Sequence, residues 1–204
     1  MIKDQEKLFA TDLVEMLKTD LDLGKFSLSS FQINAHEKIL YDITSLYGGS
    51  GIFQPKFGFL EQDIVIGRIL KVPEVFSKYF YRSKRKDEIF QPEISIEIKY
   101  GDVTTHQLIT YSHIAQKIKS IFPRSHYHLV LGYCSVNLFE KVMRHGTNFD
   151  RIFNLCARTI KEKIVPVYIK GKLRNDLNSG KGKRIYENLI HNLKNELSNV
   201  KMEW

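Results

Sequence analysis

Residues 93 to 100 read Glu-Ile-Ser-Ile-Glu-Ile-Lys-Tyr, and that period of two leaves the chain little choice. Ile94, Ile96 and Ile98 alternate with Glu93, Ser95, Glu97 and Lys99. Only an extended strand puts all three β-branched side chains on one side and the polar ones on the other. Gly101 breaks that strand, and Thr105 to Ile121, closed by Pro123, has helical spacing. Tyr127 to Tyr133 follows as a short buried strand.

The flanking segments extend the pattern. Ile2 to Lys18 carries Leu8, Leu13, Met16 and Leu17 among acids and lysines, which predicts an amphipathic helix ended at Leu23-Gly24. Asn34 to Leu46 is expected to form a second helix, with Asn34 as N-cap, Ile39, Leu40, Ile43 and Leu46 on one stripe, and Gly48-Gly49 as the stop. From Gly51 to Ile69 the character changes to strand through Phe57, Phe59, Ile64, Val65 and Ile66, with a turn expected near Glu61-Gln62. Lys71 to Pro92 is irregular and reads as an exposed insertion of loop and short helix. Phe149 to Lys163 is expected as helix, Val165 to Ile169 as strand, and Ile185 to Leu197 as a terminal amphipathic helix. This order predicts one α/β domain, residues 1–204, with a central mixed β-sheet flanked by helices. A catalytic core would span about 34–135, leaving 136–204 as a helical, basic part for DNA binding or dimerisation.

Composition narrows the function. The chain has 204 residues, 43% of them hydrophobic, enough for a sizeable core and unlike disordered or fibrous classes. No run approaches the roughly 18 apolar residues of a spanning helix. The opening Met-Ile-Lys-Asp-Gln-Glu-Lys lacks the apolar region of a secretory signal, so a cytoplasmic place is expected. Cys134 and Cys156 are the two cysteines, too few for a disulfide framework or a four-thiolate site. Lys and Arg number 31 against 23 Asp and Glu, and a formal charge of +8 favours a polyanionic partner.

Chemistry concentrates at Asp63, Glu97 and Lys99. Glu97 and Lys99 lie two apart on a strand and point to the same face, while Asp63 heads the apolar run Asp63-Ile-Val-Ile-Gly67. Two carboxylates brought together at strand ends make an oxygen-rich site suited to Mg²⁺, with Mn²⁺ as a substitute. Such a metal stabilises phosphoryl charge and lowers the pKa of bound water. Lys99 can orient that water, help deprotonate it, or stabilise the developing charge. The bland reading is a wet strand face with an ordinary Glu-x-Lys pair.

Gln62-Asp63 followed by Glu97-Ile98-Lys99 resembles the PD-(D/E)XK nuclease superfamily, which includes restriction endonucleases and RecB-type exonucleases. The resemblance spans roughly residues 34 to 135 and implies a restriction-endonuclease-like core. It implies Asp63 and Glu97 as metal ligands, helped by the backbone carbonyl of Ile98, with Lys99 near the attacking water. Gln107-Leu-Ile-Thr-Tyr111 is similar to the Gln-x-x-x-Tyr element of RecB-like nucleases, and Glu37 matches an extra acidic residue placed on the preceding helix. Gln107 and Tyr111 read equally well as part of an ordinary amphipathic helix. Among superfamily roles, a small chain without helicase, methyltransferase or ATPase segments most resembles a type II restriction endonuclease. Those enzymes usually act as homodimers, since cutting both strands of a symmetric site needs two centres related by a two-fold axis.

Two basic runs complete the picture. Lys170, Lys172 and Arg174 continue through Asn175 and Gly180 to Lys181, Lys183 and Arg184, and Arg82, Lys84 and Lys86 form a second cluster. Glycine beside cations suits a loop lying along the phosphates of double-stranded DNA, although charge runs are also ordinary solvated surface. His106, His113, His126 and His128 fit no usual zinc spacing and are expected to be structural. Gly48-Gly-Ser-Gly51 lacks the Lys-Ser/Thr of a phosphate loop. The rivals are a RecB-like exonuclease or repair nuclease and a catalytically silent nucleic-acid-binding protein.

Overall fold

Alternation of apolar and polar side chains builds the centre of the protein. The computed structural model describes residues 2–26, 30–47, 53–74, 87–135, 138–158, 167–177 and 180–200. Five strands form a sheet in chain order: β1 (Phe31–Tyr47), β2 (Phe53–Lys71), β3 (Glu88–Tyr100), β4 (His126–Ser135) and β5 (Arg151–Arg158). The first three pair antiparallel and the last three parallel, so the sheet is mixed. Helices α1 (Ile2–Leu21), α2 (Thr105–Ile121), α3 (Leu138–His145), α4 (Lys172–Asp176) and α5 (Gly180–Ser198) flank it. The α/β architecture expected from the sequence is the one observed. No helix among the described residues is long and apolar enough to cross a membrane.

Each face of the sheet has its own apolar layer. Ile64, Ile66, Ile94, Ile96 and Ile98 pack with Phe9, Leu13 and Leu17 of α1 and with Leu189, Leu193 and Leu197 of α5. Across the sheet, Val65, Ile39 and Tyr127 meet Ala115 and Ile118 of α2, while Leu129 and Leu131 meet Leu108 and Val142. Burying the strands on both sides is what a parallel segment requires. His128, fully buried, ties α5 to β4 through a 2.7 Å contact between its Nε2 and Glu196 Oε2. Its ring stacks on that of His126, 6.2 Å away. His128 is built into this packing, and His126 lies at its edge, 40% of its side chain exposed.

Several expectations are corrected. Asn34 to Leu46 is strand β1, paired along β2 from Phe31↔Arg68 to Tyr47↔Phe53, and not a helix. A register shift between Leu40 and Asp42, together with the left-handed φ of 53° at His36, breaks strict alternation. That break leaves Ile39 and Leu40 adjacent and both buried, which in sequence mimics a helical stripe. The turn expected at Glu61-Gln62 does not form, because β2 runs straight through with Glu61 opposite Lys38. Residues 151–158 are strand β5, since Phe153 and Leu155 are buried in alternation and pair beside β4; 159–163 lie outside the described residues.

A further correction concerns the basic loop. Lys172 and Arg174 sit in α4, and Lys181, Lys183 and Arg184 in the first turn of α5, which begins at Gly180 and not at Ile185. Val167 to Ile169 join no ladder, and 165–166 are outside the described residues. Of the expected insertion, Glu88 to Pro92 belong to β3, while 75–86, with Arg82, Lys84 and Lys86, lie outside the described residues.

Gly67 lies where β2 and β3 leave no room for a side chain, at a register shift after Ile66. A Cβ there would stand 2.1 Å from the Gln91 carbonyl oxygen and 2.8 Å from the Phe90 ring. Gly67→Ala is expected to destabilise the fold by about 3 kcal/mol. Urea titration checks it: the midpoint falls while the slope stays unchanged.

Candidate active site

β2 and β3 separate at the middle of the sheet. Their ladder runs from Lys71↔Glu88 to Ile64↔Ile96, and beyond it β3 continues to Tyr100 beside β4. A freed strand edge needs a hydrogen-bond partner. Asp63 supplies it: its Oδ2 accepts the backbone N–H of Ile98 at 2.8 Å. The carboxylate is thereby fixed where the strands diverge, next to Glu97 and Lys99.

Glu97 and Lys99 do share a face, but that face is not wet. Their residues are 7% and 6% exposed, while Ile96 and Ile98 on the opposite side are fully buried. Lys99 Nζ lies 2.9 Å from Glu97 Oε1 and 3.4 Å from Glu6 Oε2, and sits over the Tyr111 ring at 4.6 Å from its centre. Glu6 Oε1 also accepts the Tyr100 backbone N–H at 3.4 Å. Tyr127 donates its hydroxyl to Glu97 Oε2 at 3.3 Å. Gln62, 1% exposed, brings its amide beside that hydroxyl without completing a hydrogen bond.

Burial sets the electrostatics. It pushes the Glu97 carboxyl up to about 7, reinforced by the nearby Asp63 charge and opposed by Lys99. Asp63 and Glu6 are raised by burial as well, each partly relieved by Lys99. Desolvation works against the Lys99 charge, yet Glu97, Asp63 and Glu6 outweigh it and hold the ammonium above its ordinary range. One cation therefore serves three carboxylates, and the site carries excess negative potential in a poorly solvated place.

Among the described residues no group of three or more His, Cys, Asp and Glu is arranged to hold a metal. Mg²⁺ does not need one. It keeps several waters and binds through one or two carboxylates plus substrate phosphates. Asp63 and Glu97, hard oxygen donors that repel each other, fit that requirement, and the Ile98 carbonyl follows Glu97 directly on β3.

The other expected residues are placed as follows. Glu37 lies on β1 opposite Gln62, buried, with Asn34 Nδ2 donating to it at 3.1 Å. A third carboxylate at Lys99 comes from Glu6 of α1, which no spacing in the sequence signals. Gln107 and Tyr111 part company. Gln107 closes the start of α2, accepting the Thr104 N–H at 2.8 Å in a capping box, and Tyr111 alone meets Lys99. Lys170, Arg174, Lys181, Lys183 and Arg184 are exposed and Lys172 half-buried.

Neither a protein-family model nor a curated protein sequence matches the chain. Among solved structures it is similar to a chain of the native BbvCI A2B2 tetramer at low resolution, with 16% identity and a TM-score of 0.44. The match covers 78% of this chain and 59% of that one, so this chain spans about three-fifths of that neighbour's length. What the site does must come from its own geometry.

Glu97 makes the protein pH-sensitive. The folded state keeps its proton up to about 7, whereas an unfolded chain releases it near 4.5. Between those values the folded state binds more protons, so stability falls as pH rises and stays lower above about 7. In a chelator at pH 8, Glu97→Gln is expected to stabilise the protein, by on the order of 1–3 kcal/mol. At pH 4 the difference should vanish. Thermal melts at both pH values check it.

Proposed function

We propose that the chain is a metal-dependent deoxyribonuclease of the PD-(D/E)XK type, most like a type II restriction endonuclease that acts as a homodimer on double-stranded DNA. The observation that carries the reading is the burial of Glu97 and Lys99 together with the half-buried, hydrogen-bonded Asp63 as one cluster where β2 leaves β3. Charged side chains on a solvated strand face would not be covered by Tyr111 and Tyr127, nor would a fold optimised for stability bury carboxylates that repel.

Asp63, Glu97 and the Ile98 carbonyl would hold Mg²⁺ or Mn²⁺, which supplies a more acidic bound water and charge stabilisation on the phosphoryl oxygens. This chain's own residues do the rest. The Ile98 N–H keeps Asp63 from rotating, and the Tyr127 hydroxyl does the same for Glu97. Lys99, ringed by carboxylates, stays protonated. Its part is then to hold the water by donating hydrogen bonds and to stabilise negative charge on phosphate, not to accept a proton. Glu6 and the Tyr111 ring keep the ammonium aimed.

A second reading, a RecB-like exonuclease, is favoured by the Tyr111 ring beneath Lys99. One assay separates them: long defined DNA incubated with Mg²⁺ and resolved by electrophoresis. Discrete fragments mean restriction, and loss receding from the ends means exonuclease. Intact DNA with a mobility shift means a silent binding protein. Cleavage should stop in excess EDTA, and Ca²⁺ should support binding better than hydrolysis. Asp63→Ala, Glu97→Ala and Lys99→Ala are each expected to cut at least about a thousandfold more slowly while staying folded. A Lys99→Ala protein cutting at the unchanged rate would sink the assignment.

A further inference from the structure

Val167 and Ile169 are 69% and 66% exposed, the most exposed large apolar side chains among the described residues. They are not loosely held. Tyr168 between them is turned inward and 3% exposed, its hydroxyl donating to Asp12 and its backbone N–H to Gln5 Oε1. Its ring packs edge-on against Phe9 at 5.4 Å and Tyr100 at 5.7 Å. Gly171, left-handed at φ 81°, gives its N–H to Asp12 as well, and Lys172 N–H closes the turn onto the Ile169 carbonyl at 3.1 Å. The strap 167–171 is thus fastened along α1 with two apolar side chains aimed outward.

Its place and its charge say what it meets. Gln5, which holds the strap, is followed by Glu6, which pairs with Lys99, and Tyr100 touches Tyr168 directly. The strap therefore lies against the segments of α1 and β3 that carry Glu6 and Lys99. Lys170, Lys172 and Arg174 follow at alternate positions, and the first acid after them, Asp176, is taken by the Tyr133 hydroxyl at 2.7 Å. Apolar side chains flanked by cations suit a polyanion with an apolar interior. That is a duplex, its phosphates outside and its base steps within.

We infer that Val167 and Ile169 form a wedge that enters a groove of duplex DNA and partly unstacks the base step it meets, with Lys170, Lys172 and Arg174 on the flanking phosphates. The inference rests on the nuclease reading and adds to it a device that bends or opens the substrate beside the metal ligands. Side chains fixed in advance lose little entropy on insertion, which makes a rigid strap the better wedge.

The test uses the full chain with Ca²⁺ and a pool of random-sequence duplexes carrying 2-aminopurine. Wild-type protein should raise the 2-aminopurine fluorescence as bases unstack. Val167→Ser with Ile169→Ser should lose that rise and bind about tenfold more weakly, with the salt dependence unchanged. Lys170→Ala, Lys172→Ala and Arg174→Ala together should instead flatten the log–log salt slope by about three units. With p-benzoylphenylalanine in place of Ile169, irradiation should cross-link the protein to a DNA strand. Cross-linking to a second copy of the chain, or a full fluorescence rise from the double serine variant, overturns the wedge. If the wild type cleaves DNA and the serine variant matches it throughout, only the wedge falls. If the wild type binds no duplex, wedge and nuclease reading fall together.

Discussion

A single hydrogen bond, from the Ile98 N–H to Asp63, is where the sheet stops being scaffold and becomes a site. Two strands that diverge leave backbone donors without ladder partners, and a buried donor left empty costs about 1–3 kcal/mol. Filling that vacancy with a side-chain carboxylate satisfies the strand and plants a negative charge at the fork. Everything else at the centre follows from that charge: Glu97 raised by burial and by its neighbour, Lys99 held as a firm cation, Glu6 drawn in from α1.

The mixed topology makes the fork possible. β3 is the strand with an antiparallel partner on one edge and a parallel one on the other. It loses the first while keeping the second, so its Glu97–Tyr100 half stays rigid against β4 though β2 has gone. Thr104 and Gln107 then start α2 abruptly, which brings Tyr111 over Lys99 one turn later. The site is built on regular elements whose positions the apolar layers fix, and not on loops.

Legibility in the sequence tracked how local each signal was. The Glu93–Tyr100 strand, α2 and β4 were readable because period and punctuation agree within each segment. β1 was not, since a bulge and a left-handed His36 put apolar neighbours side by side and imitated a helix. β5 failed for a related reason: eight residues with two deeply buried positions do not fix a period. Of the site, the Asp63, Glu97 and Lys99 grouping was visible as residue types on strands. Glu6 was invisible, because an acid on the polar side of an amphipathic helix looks like solvated surface until the tertiary fold turns it inward.

The ion pair between Lys99 and Glu6 joins positions 93 residues apart, and Tyr168 is tied to Gln5 across 163. Contacts of such separation close late and only with the core in place. No fragment emerging early, and no partly unfolded molecule, can carry the complete constellation. The cluster and the global fold therefore appear and vanish together, so a chain still being made, or one coming apart, does not hold these groups at their folded separations.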